Sequence, residues 1–135
     1  MAATKTRMSR RAALSAAAGA TIVAGLAIHF SAAGNVANLI SDALYTVLVY
    51  LVLAFILPRT KQGWLALAAF GISAAIELSQ LTGVPAQLAV SFPPSRLIFG
   101  TTFSALDLVA YAAGAAAAWL ADHALSARWR APQPE

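Results

Sequence analysis

The sequence predicts an all-α integral membrane protein, with four transmembrane helices in a compact bundle and both termini on the cytoplasmic side. Three observations predict it. Of 135 residues, 60% are apolar and only 10% are charged, against about 25% charged in a soluble domain. The apolar residues fall into four runs, each close to the ~20 residues that span a ~30 Å hydrocarbon core. Eight of the nine Lys and Arg residues share one side of those runs when the N-terminus is placed inside.

Residues 1–11 form a basic cytoplasmic segment carrying Lys5, Arg7, Arg10 and Arg11. The first run covers about 12–30. Lipid cannot satisfy backbone polar groups, so each run is expected to be a helix. Ser31 to Asn38 is rich in Gly, Asn and Ser, has no Lys or Arg, and suits an outer loop. The second run, 39–57, leads into a tight turn, Pro58 to Gly63, that carries Arg59 and Lys61. The third run is 64–81. Thr82 to Gly100 is the longest connection, with Pro85, Pro93 and Pro94 among apolar Val84, Leu88, Val90 and Phe92. It is expected to lie in the interface or to fold back over the bundle. The fourth run covers about 101–120. The transmembrane domain is thus 12–125, and residues 126–135 form a cytoplasmic tail, with Arg128 and Arg130, expected to be disordered.

On this topology the outside holds only Arg96, and Trp64, Trp119 and Trp129 fall near the inner interface, where indoles prefer to lie. The expected location is the inner (cytoplasmic) membrane. Small residues recur every four positions: Ala12, Ala16, Ala20 and Ala24; Gly71 and Ala75; Ala110, Gly114 and Ala118. Such stripes let helices approach closely, although simple alanine richness produces the same pattern. Ser9-Arg10-Arg11 before an apolar run also resembles a signal peptide, with Ser31-Ala32-Ala33 as a cleavage site. The residues after the Arg pair lack the usual aromatic and lysine, and the run is long, so the first helix is expected to stay attached.

Several functions are excluded or disfavoured. No basic face interleaved with aromatics exists, so nucleic acid is not an expected partner. There is no cysteine, which removes disulfides, thiolate metal sites and cysteine nucleophiles. No cofactor is expected. Asp42, Glu77, Asp107 and His29 have no local spacing that supports a metal.

The remaining polar residues cluster at one depth. Asp42 lies early in the second run, Glu77 and Gln80 late in the third, and Asp107 early in the fourth; Arg96 precedes the fourth and His29 closes the first. At 1.5 Å rise per residue the acids sit about 5–10 Å below the outer boundary. The inner halves of the helices read as almost purely apolar. Asp42 and Tyr45 are three apart; Ser73, Glu77 and Gln80, and Ser104, Asp107 and Tyr111, follow four-then-three and three-then-four spacings, so each set shares a helix face. A carboxylate within a bilayer is costly unless paired or hydrated, so these faces are expected to point inward. Asp42, Glu77 and Asp107 are the candidate catalytic residues, with Tyr45, Gln80, Arg96, Tyr111 and His29 in the same binding pocket. Asp42 is alternatively a helix cap, His29 an interfacial residue, Arg96 an ordinary loop charge, and the whole set interhelical glue.

Asp42-Ala43-Leu44-Tyr45, then Glu77-Leu78-Ser79-Gln80-Leu81, then Phe99-Gly100-Thr101-Thr102-Phe103, with Asp107-Leu108-Val109-Ala110-Tyr111 and Gly114, resemble the DUF2809 family of small bacterial membrane proteins. The same skeleton is similar to the wider VanZ-like group, named for a protein linked to glycopeptide resistance. The resemblance covers about 25–118 and implies characteristic positions Asp42, Tyr45, Glu77, Gln80, Phe103, Asp107, Tyr111 and Gly114. It implies no established activity. Family members tend to carry an Arg where this chain has His29, which keeps a donor but not a permanent charge, and an Arg farther upstream than Arg96.

The leading expectation is a multi-pass protein whose acidic outer pocket binds or modifies a lipid-linked or cell-wall component, since Asp, Glu and Tyr in a low-dielectric pocket can exchange protons. The alternatives are a structural or accessory membrane subunit and a small cation-coupled transporter. A polar path through the whole bundle would favour the transporter.

Overall fold

The computed structural model describes residues 9–100 and 102–130, without the side chains of 128–130. Lys5, Arg7, the side chains of Arg128, Trp129 and Arg130, and the tail beyond 130 lie outside the described residues, as do the expectations that fall on them. Helices α1 (Arg10–Ser31), α2 (Asn35–Ile56), α3 (Gln62–Ser79), α4 (Val84–Ser91), α5 (Arg96–Phe99) and α6 (Ala105–Arg130) follow in order. Two 3₁₀ turns, Gln80–Thr82 and Pro93–Ser95, continue α3 and join α4 to α5. Among the described residues four helices are long and apolar enough to cross a membrane: α1, α2, α3 with its 3₁₀ turn, and α6.

The helix ends follow local chemistry. Ser9 caps α1 by accepting the Ala12 N–H at 3.1 Å, so the helix begins at Arg10 rather than Ala12. Gly83, at φ 78°, supplies the left-handed turn that ends the α3 extension and reverses the chain into α4. The long connection expected as a loop is therefore largely helical, and it folds back over one end of the bundle with Pro85, Ala89 and Ser95 buried.

α6 departs most from expectation. It starts at Ala105, not 101, and runs to Arg130, not 120, so residues 126–130 are helical rather than a disordered tail. At its start, Gly100 (φ 63°) breaks the chain direction and the Ser104 N–H is drawn to the Glu77 carboxylate instead of into a helix. At its end, Asp122 and Ser126 are buried by contacts to α1, α2 and α3, which anchor the extra turns.

α2 is central, packing against α1, α3 and α6, while α3 also packs against α6. An apolar core of Leu14, Tyr50, Ala54, Leu65, Ala69 and Ala118 fills the end near the chain termini. Val23, Phe30 and Val90 are 68%, 75% and 81% exposed; such surfaces suit lipid rather than water.

Only one of the three small-residue stripes is an interface. Ala110, Gly114 and Ala118 of α6 are buried, whereas Ala12, Ala16, Ala20, Ala24, Gly71 and Ala75 are exposed. α3 instead buries Leu65, Ala69, Ser73 and Glu77. In alanine-rich helices spacing alone does not choose a face; the polar Ser73 and Glu77 must leave the lipid, and they turn α3 about its axis.

Candidate functional site

At the end of the bundle away from the core lies a cavity of about 750 Å³. Asp42, Glu77, Asp107, Tyr45, Gln80, Tyr111, Arg96 and His29 all line it. α2 contributes Asp42 and Tyr45, α3 Glu77, α6 Asp107 and Tyr111, and the folded-back segment Arg96 to Gly100 closes one side. Ile22 and Leu26 of α1, together with Leu97, Ile98 and Phe99, give it apolar walls.

Of the three acids in the cavity, Glu77 is the best anchored. It is 1% exposed, and its two oxygens accept the Ser104 N–H and the Tyr111 hydroxyl, each at 2.7 Å. Three residues on, Gln80 donates from Nε2 to the Phe99 carbonyl at 2.6 Å. The end of α3 therefore holds both sides of the Gly100 break. The other amide atom of Gln80, Oε1, is a buried acceptor without a partner.

Asp42 and Asp107 face one another across the α2–α6 contact, with Glu77 and the Tyr111 hydroxyl beside them. Both are half-buried. Asp42 is not a helix cap, because Gly34 occupies that position and α2 starts at Asn35. Asp107 lies in the first turn of α6, closer to the helix end than its place in the apolar run suggested. The Tyr45 and Tyr111 rings stand 6.5 Å apart in the same space. Arg96 and His29 are exposed at its rim, and among the described residues neither forms an ion pair with the acids.

The part of the bundle expected to be almost purely apolar is not. Below Glu77 the Thr46 hydroxyl donates to Ser73 Oγ at 2.9 Å, both groups fully buried. Below these the Tyr50 hydroxyl donates to Asp122 Oδ2 at 2.6 Å. Asp122 also receives Arg10 at 2.8 Å and the Ser126 hydroxyl at 2.9 Å. The signal was present: Asp42, Thr46 and Tyr50 recur at four-residue spacing on α2, and Ser73 precedes Glu77 by four. Asp122 was missed because it follows the last apolar run.

A family model described as "Protein of unknown function (DUF2809)" matches residues 31–115, well over half of the chain. No curated protein matches the chain, and no solved structure matches it.

Proposed function

The chain belongs to the DUF2809 family, and we propose that it is a multi-pass membrane protein whose acidic cavity binds the polar head of a lipid-linked or cell-wall component. One observation carries this reading: Asp42 and Asp107 set two half-buried carboxylates, with Gln80 beside them, in a cavity with apolar walls. Acceptors in that setting call for a ligand rich in hydroxyl or amine donors, and the apolar walls suit an attached hydrocarbon chain. Asp42 and Asp107 are the ligand-facing acids, while Glu77, occupied by Ser104 and Tyr111, fixes the cavity wall. The VanZ-like resemblance supports an envelope component. If the end bearing Arg10, Arg11, Arg59 and Lys61 faces the cytoplasm, the cavity opens on the outer side.

The test is mass spectrometry of organic extracts from purified protein. Wild type is expected to retain an amphiphile that Asp42→Asn/Asp107→Asn loses while remaining folded. Identical extracts from both would count against the reading.

A second reading, cation-coupled transport, is favoured by the buried hydroxyls and Asp122 that continue below the cavity. Liposomes containing the protein would then dissipate a proton gradient faster than empty ones, and Thr46→Val would slow the leak. Liposomes as tight as empty ones would remove this reading.

A further inference from the structure

A second cavity, about 490 Å³, lies at the opposite end of the bundle, between the first turn of α1, the α2–α3 turn and the last turns of α6. Arg10, Thr60, Lys61, Gln62, Trp119 and His123 line it. Its character is the reverse of the first. The nearest acid among the described residues, Asp122, is 7% exposed by its side chain and does not line the space; it sits behind Arg10, holding that guanidinium at 2.8 Å. Tyr50 and Ser126 complete the support of Asp122. Arg10 is thereby fixed in place, with N–H groups left over for the cavity. Among the described residues Lys61 and His123 have no acidic partner. Lys61 carries no cap hydrogen bond either.

We propose that this cavity binds a phosphate group, carried by an anionic membrane lipid. Two cations from separate elements and the Thr60 hydroxyl line one space, which offers donors to a phosphate oxyanion and repels a cation. The volume accommodates a phosphate ester with its glycerol. Ile56, Trp64, Leu120 and Leu125 are 61%, 63%, 57% and 50% exposed near this end of the helices, and acyl chains of a bound lipid would lie along such surfaces. Free phosphate has the same recognising chemistry but no use for that apolar surround. Basic cavities between transmembrane helices are suited to anionic head groups in general.

The full chain in detergent would be titrated with phosphatidylglycerol, phosphatidylcholine and inorganic phosphate, with lipid adducts read by native mass spectrometry and stability by thermal melting. Phosphatidylglycerol is expected to bind the wild type in preference to phosphatidylcholine. Lys61→Gln should raise its Kd about tenfold, the size of one lost charge-assisted hydrogen bond. Arg59→Gln is the control, since Arg59 neighbours Lys61 in sequence but lies outside the cavity lining; it should change binding by less than twofold. An equal loss in the two variants would reduce the effect to general surface attraction and overturn the cavity. Equal binding of the two lipids would overturn it as well. Inorganic phosphate stabilising the protein as much as phosphatidylglycerol would overturn the lipid assignment.

Discussion

Gly114 of α6 meets the backbone of Ala43 in α2 so closely that a β-carbon at 114 would collide with the Ala43 carbonyl. This contact lies between the acids above and the Thr46–Ser73 pair below, and it sets how near Asp42 and Asp107 come. Gly114→Ala must therefore push α2 and α6 apart. It is expected to cost about 1–3 kcal/mol, as overpacking usually does, and to lower the melting temperature in detergent. Gly71→Ala is the contrast, because nothing lies within 4 Å of a β-carbon there; helix propensity alone predicts no loss and up to about 1 kcal/mol of gain. Equal effects at the two glycines would deny the close crossing.

Glu77 accepts two hydrogen bonds, and an apolar side chain can replace neither. Glu77→Gln can keep both contacts, its amide oxygen accepting the Ser104 N–H and its amide nitrogen donating to a rotated Tyr111 hydroxyl, whereas Glu77→Leu leaves the Ser104 amide and the Tyr111 hydroxyl both unmatched. Tyr111→Phe removes one of the two donors, and a loss of about 1–3 kcal/mol is expected from the half-satisfied carboxylate. Hydrogen exchange gives the local check: the Ser104 amide should be protected in wild type and exchange faster in Glu77→Leu. Unchanged protection would mean that Glu77 does not hold Ser104 in place.

Reporter fusions test orientation. With eight of nine basic residues on one side, a periplasm-active reporter should be active after Gly34 or Val84 and silent after Lys61 or Arg130. Activity after Lys61 would invert the bundle and place the acidic cavity on the cytoplasmic side.

Hydropathy carried the spans, because lipid allows a long apolar run little besides a helix. The grouping of Asp42, Glu77 and Asp107 was legible for a related reason: carboxylates must avoid lipid, so their spacing names the inward faces of α2, α3 and α6. What was not legible depended on tertiary contact. The exposed Ala12 to Ala24 stripe has the same spacing as the buried Ala110 to Ala118 stripe, and only the Gly114–Ala43 crossing distinguishes them. The late start of α6 depends on Glu77 capturing the Ser104 amide, and its extension depends on Asp122 meeting Arg10 and Tyr50. Partners 27, 72 and 112 residues apart leave no local pattern.

The proposed ligand site requires Asp42 and Asp107 to face each other across the α2–α6 contact. The chain has no cysteine, so Asp42→Cys/Asp107→Cys introduces the only two thiols. Mild oxidation in native membranes, followed by denaturation and maleimide labelling, reads their proximity. A disulfide that protects both thiols from labelling until reductant is added is the predicted result. Two thiols that stay fully labelled after oxidation, in a variant that still inserts and folds, would contradict the shared acidic cavity.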